Sequence, residues 1–360
     1  MEEQKDMLDQ ILSAIDRERP DGLIIAGDVY DKSVPREDAV SMFSDFLSEA
    51  ESRGCPVFMI AGNHDSGRRL DFGDSILRKR NIHILGMFKG GMERISLSDG
   101  FGDLNIYLLP YVKPSLVRPF FEEEVDGPDE ALRLILEKAG VDPSSRNVLV
   151  SHQFYLNADV LPEQRGSETS HACVGGLDCM SAKLLDPFDY VALGHIHTAQ
   201  KVGRETIRYC GSPLKYSLSE AEDEKSITIV SLFEKGNVRI ESIPIVPLRE
   251  VRRLRGTMAS IRKEAASDPG LRDAYVGIVL TEHVFEPEKD LRCLFDRILS
   301  IEFDVQNRRS DSGQITIDII NDKPPQKLFE EFYGKYTGRD LTVYQREVID
   351  DVISGEGGRL

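Results

Sequence analysis

Residues 23–31 read Leu-Ile-Ile-Ala-Gly-Asp-Val-Tyr-Asp, an apolar run that stops at a glycine and a carboxylate, Asp28. The pattern recurs three times. Val57-Phe58-Met59-Ile60-Ala61 runs into Gly62-Asn63-His64-Asp65. Val148-Leu149-Val150 runs into Ser151-His152, and Tyr190-Val191-Ala192-Leu193 into Gly194-His195-Ile196-His197. Short unbroken apolar runs with β-branched residues predict strands buried on both faces, as in a parallel sheet. Ligands of open α/β sheets gather at the carboxyl ends of the strands. The chain is therefore expected to be α/β, with these segments converging on one edge of one sheet.

The side chains at those ends share a chemistry. The Asp28 carboxylate, the Asn63 amide oxygen and the imidazoles of His152, His195 and His197 suit manganese, iron or zinc. Paired metals in phosphatases and nucleases sit roughly 3.5–4 Å apart and clamp the attacking and leaving oxygens. Taken singly, Gly-Asp is a turn and a histidine after a strand is structural. Taken together, four of seven histidines fall in these segments, which points to a metal centre. His83, His171 and His283 lack that context and read as structural or surface residues, with a substrate contact left open for His171.

Gly-Asp-x-x-Asp, Gly-Asn-His-Asp, a lone histidine and Gly-His-x-His resemble the calcineurin-like metallophosphoesterase superfamily. The flanks Gly27-Asp-Val-Tyr-Asp-Lys-Ser-Val-Pro35, Leu109-Pro-Tyr-Val-Lys-Pro114, Val174-Gly-Gly-Leu-Asp178 and Tyr209-Cys-Gly-Ser-Pro-Leu-Lys-Tyr-Ser217 are similar to the nuclease subunits of bacterial SbcCD complexes. The resemblance implies a four-layer α/β/β/α sandwich with a small C-terminal α+β domain. It implies a manganese-dependent nuclease acting on DNA ends and hairpins in repair and recombination. It further implies an SbcC-type coiled-coil ATPase as partner, with the nuclease a homodimer inside a heterotetramer. By motif, Asp28 resembles the bridging ligand. Asn63, His152 and His195 complete one metal's shell, and His197 belongs to the other metal. His64 resembles the catalytic histidine and Asp65 its orienting partner. Family members open with a strand ending in Asp-x-His, whereas here Glu2-Glu3-Gln4 stands at the start. The expectation is one complete metal site and one about half built. The competing readings are a different phosphoesterase, a phosphatase or phosphodiesterase, and a catalytically impaired chain that still binds its partner.

The rest of the chain sets bounds. Its 360 residues suggest two or three domains, and no run approaches the ~18 apolar residues of a membrane span. Five cysteines without paired spacing suggest a reduced, cytoplasmic setting. A net charge of −17 argues against strong DNA binding by the chain alone. Basic groups at Arg68-Arg69, Arg78-Lys79-Arg80, Arg249 to Arg255 and Arg308-Arg309 read as solvated faces. Helical spacing covers residues 2–18 and 37–53. Pro244 and Pro247 place a domain boundary at 247/248. Beyond it, a strand over 274–281, a helix near 287–301, strands near 302–307 and 314–320, and helices near 324–335 and 343–353 are expected.

Overall fold

The structure, a computed structural model, describes residues 1–157, 162–164, 179–304 and 325–354. The chain divides into two compact units, Met1–Val305 and Gln306–Leu360.

In the first unit, β1 (Leu23–Ile25), β2 (Val57–Ile60) and β3 (Ile82–Leu85) form a parallel sheet in that order. Next come β4 (Glu93–Asp99), β5 (Gly102–Leu109) and β6 (Arg146–Ser151), then the short parallel pair β7 (Tyr155–Leu156) and β8 (Met180–Ser181). They are followed by β9 (Tyr190–Leu193), β10 (Gln200–Val202) and β11 (Arg204–Tyr209). Six of these build a second sheet in the order β10-β11-β9-β6-β5-β4. Its centre is parallel, and an antiparallel strand closes each end.

Alternation along the strands explains the layering. Val57 and Met59 of β2 face one way and pack with Leu12, Ile15, Phe46 and Ala50 from helices Glu2–Glu18 and Glu37–Ser52. Phe58 and Ile60 face the other way and pack with Ile106, Leu108, Val148 and Val150 of the second sheet. Tyr107, Leu109 and Leu149, on that sheet's far face, pack with Leu132 and Ile135 of helix Pro128–Ala139. The order is helix, sheet, sheet, helix. The expectation of a single sheet is therefore corrected. An unbroken apolar run means both faces are covered, and here one cover is a helix and the other is the second sheet. A hairpin of β12 (Ser226–Leu232) and β13 (Val238–Pro244) adds Val230, Leu232, Val238 and Ile240 to the core between the sheets.

β14 (Val251–Gly256), β15 (Tyr275–Leu280) and β16 (Arg297–Phe303) form a further parallel sheet around a separate core that includes Leu254, Ile261, Val276, Ile278 and Phe295. Position 247/248 precedes this sheet and lies inside the first compact unit. The helix expected over 287–301 stops at Arg292. Residues 297–303 instead pair with β15, because Ile298 and Ile301 pack against the sheet's core. The segment 314–320 lies outside the described residues. Helices Pro325–Thr337 and Val343–Ser354 fall where periodicity puts them. Cys55, Cys210 and Cys293 are free thiols. Cys179 is disulfide-bonded, which the reading of wholly reduced cysteines did not foresee. Among the described residues no helix is long and apolar enough to cross a membrane.

Several basic residues turn out to be occupied. Arg78 pairs with Glu93 and Asp74, Arg249 with Glu2, Glu3 and Asp273, Arg252 with Asp268, and Arg255 with Asp304. Arg249 and Tyr275 also tie the first helix to the third sheet. Arg249 Nη1 and Tyr275 Oη donate to Glu3 Oε1 at 2.6 and 2.8 Å. Burial pushes the Glu3 carboxyl up, but its own amide, Tyr275 and Arg249 pull it down to about 2. A depressed carboxyl contributes stability above its unfolded value of about 4.3 and loses it as pH falls through the folded value. Glu3→Gln is therefore expected to cost about 1 kcal/mol at pH 7, after allowance for solvent screening. In urea unfolding, the gap between wild type and variant should shrink between about pH 5 and pH 2. A gap that ignores pH would contradict the pairing.

Candidate metal centre

Four strand ends meet at one end of the sandwich, two from each sheet. Asp28 follows β1, Asn63 follows β2, His152 follows β6 and His195 follows β9. Asp28, His152 and His195 each offer a ligand atom within 4.8 Å of the others. His152 Nε2 lies 3.1 Å from Asp28 Oδ2 and 3.1 Å from Asn63 Oδ1. His195 Nδ1 lies 3.0 Å from the same Asn63 oxygen. Donors at right angles on a sphere of about 2.1 Å around an ion would stand about 3.0 Å apart.

The protons decide what these contacts are. His152 Nδ1 is 2.6 Å from the carbonyl oxygen of Ala26, an acceptor only, so Nδ1 carries the hydrogen. In a neutral ring Nε2 is then a lone pair, and it faces two oxygen lone pairs. Asn63 Nδ2, which could donate, is buried and has no hydrogen-bond partner among the described residues. Lone pairs turned inward and a donor left idle are what a cation imposes. Protonation of His152 is the other relief. Burial opposes it, but the Asp28 charge and hydrogen bond hold the imidazole above its ordinary value. Burial likewise raises Asp28, yet His152 and the amide of His64 bring it down to about 2. The site therefore keeps Asp28 ionised and favours positive charge, and the donor set fits a divalent ion.

Local backbone makes the convergence feasible. Asp28 and His195 hold φ of 52° and 88°, left-handed geometry that costs a non-glycine residue about 1–3 kcal/mol and persists where surroundings enforce it. Two glycines permit the close approach. A Cβ on Gly62 would stand 2.1 Å from Asp28 Oδ1. One on Gly194 would stand 2.0 Å from the Ala26 oxygen and 2.7 Å from His152 Nδ1.

Three other candidate residues lie around this group. His64 donates its backbone amide to Asp28 Oδ1 at 3.0 Å, and its ring Nδ1 lies 3.0 Å from the carbonyl oxygen of Asp31. Asp65, expected to orient His64, is held by three backbone amides. Its carboxylate accepts from the amides of Gly62, Val29 and Tyr30 at 2.9, 3.2 and 3.0 Å. It thus clasps the Asp28 loop to the Asn63 loop. Burial lifts the Asp65 carboxyl, with the Asp28 charge adding to it and the three amides opposing. His197 is not in the four-donor group. Its Nδ1 lies 3.1 Å from Glu220 Oε1, a fully buried carboxylate. His171 lies outside the described residues. Sequence reasoning missed Glu220, the carbonyl of Asp31 as the contact of His64, and the rings of Tyr111 and Phe154 that flank His195 with centroids at 6.4 and 6.1 Å.

Taken together, paired strand ends carrying Asp, Asn and His donors over a two-sheet sandwich define a metallophosphoesterase, and the calcineurin-like phosphoesterase family model matches residues 1–199. The chain belongs to that family. It is also similar to SbcD, the nuclease component of the SbcCD complex, from Staphylococcus epidermidis (strain ATCC 12228 / FDA PCI 1200). The two are 26% identical over 360 residues, spanning 98% of this chain and 93% of that protein. The chain is accordingly a phosphoesterase of a family that uses divalent metals.

Proposed function

We propose that this chain is the nuclease component of an SbcCD-type complex, a manganese-dependent phosphodiesterase that cuts DNA with an SbcC-type coiled-coil ATPase as partner. The observation that carries the reading is the convergence of Asp28 Oδ2, Asn63 Oδ1, His152 Nε2 and His195 Nδ1 at one end of the sandwich. The end-to-end likeness to a nuclease supports the substrate class. Divalent metals in such a centre lower the pKa of water toward neutrality and screen the charge of the scissile phosphate.

In this reading Asp28, Asn63, His152 and His195 would hold one ion, and His197 would help hold a second. Ala26 fixes the tautomer of His152. His64, steadied by the Asp31 carbonyl, exchanges a proton at the leaving oxygen. Asp65 holds the two ligand loops together. The C-terminal region, residues 248–360, caps the site or docks the partner in this reading. Net charge of −17 and the pairing of Arg78, Arg249, Arg252 and Arg255 with carboxylates leave the partner to supply much of the grip on phosphate.

The test offers the purified chain linear duplex DNA, hairpin DNA and a phosphopeptide, with manganese or EDTA and with or without the partner ATPase. Expected is manganese-dependent cleavage of DNA, stimulated on duplex ends by the partner with ATP. Phosphopeptide hydrolysis without any DNA cleavage would overturn the nuclease reading in favour of a phosphatase.

A further inference from the structure

We infer that Glu220, backed by Lys225, is a positioning residue that locks the ring and backbone of His197 so that Nε2 is presented as a lone pair. Glu220 is wholly buried, and Lys225 is 7% exposed. Glu220 Oε1 lies 3.1 Å from His197 Nδ1, while Oε2 accepts from Lys225 Nζ at 2.7 Å. Lys225 Nζ also donates to the carbonyl oxygen of His197 at 2.9 Å and to Ser212 Oγ at 2.9 Å. The amide of Ser212 donates to the same His197 carbonyl at 3.0 Å. One buried ion pair therefore grips a single histidine at two points, the acid on its ring and the base on its backbone.

The consequence is chemical. A carboxylate facing Nδ1 places the hydrogen there, which leaves Nε2 able to bind a metal or accept a proton. Buried ion pairs are seldom justified by stability alone, since well-packed apolar residues do as well or better. Fixing a ligand's tautomer and orientation is a use that apolar residues cannot supply. Among the acids of Ser217-Leu-Ser-Glu-Ala-Glu-Asp-Glu-Lys225, Glu220 faces the histidine, while Asp223 lies 3.6 Å from Lys225 Nζ and accepts from Thr198 Oγ1 at 3.1 Å.

The inference rests on the reading of His197 as a ligand of the second metal, and the experiment separates the two. In the metal-free protein, long-range proton–nitrogen NMR of labelled histidines reports the His197 tautomer, with His197→Gln assigning the signal. Expected is the Nδ1–H form in the wild type. A mixture or an Nε2–H form would overturn the inference without any variant having to fold. In Glu220→Gln the new amide can accept or donate, so the tautomer should become mixed. Manganese titration should then show affinity at one of the two sites falling about 10–100-fold, with the other unchanged. A folded Glu220→Gln that keeps a pure Nδ1–H ring would overturn the inference. A tautomer that shifts while manganese binding at both sites stays put would support Glu220 as the positioning residue and overturn His197 as the ligand.

Discussion

Asp28→Asn is expected to lower manganese-dependent DNA cleavage by roughly 10³-fold, the equivalent of several kcal/mol at about 1.4 kcal/mol per decade. Three losses coincide there. The anionic oxygen facing His152 Nε2 at 3.1 Å disappears. The substituted amide can turn its NH2 group toward that lone pair and close the site with a hydrogen bond. The negative charge that draws a cation to these donors is gone. Bound manganese, counted after gel filtration, should fall with activity. The fold should survive, because the loop is still clasped by Asp65 through the amides of Val29, Tyr30 and Gly62. Full manganese occupancy in an inactive Asp28→Asn protein would show that the carboxylate serves the chemistry without holding the ion.

His64→Ala should separate the two quantities. Cleavage should fall by about 10²–10⁴-fold, the usual contribution of a positioned acid or base, while manganese content stays near that of the wild type. The geometry supports the separation. The link from His64 to Asp28 is through its backbone amide at 3.0 Å, which alanine retains. The ring is tied instead to the Asp31 carbonyl. Substrates with a good leaving group such as p-nitrophenolate should be much less affected, since their leaving oxygen needs little help from a proton. Metal content that drops in step with cleavage would make the His64 ring a ligand.

The strand ends were readable because four apolar runs each stop at a residue with a donor atom, and the parallel pairing of β1 with β2 and of β6 with β9 keeps those ends together. The two-sheet arrangement was not readable from the runs, since Phe58 against Val148 and Met59 against Phe46 are the same pattern on paper. It came only with the resemblance. Asp65 shows a different limit. Adjacency to His64 suggested a pair, but nothing in the sequence says that three backbone amides also reach the carboxylate. Glu220 was hidden for a third reason. Nothing in a run of acids says which one will face inward, and only the fold brings Lys225 and His197 to it. Residues 297–301 were misread as helix because the sequence cannot show that β15 offers them an edge to pair with.

Crystals of the chain soaked in manganese and measured at the manganese absorption edge show whether an ion sits among the four donors. An anomalous peak is expected within about 2.0–2.4 Å of Asp28 Oδ2, Asn63 Oδ1, His152 Nε2 and His195 Nδ1. No peak among those four atoms at saturating manganese, with His152 still hydrogen-bonded to Asp28, would contradict the metal centre.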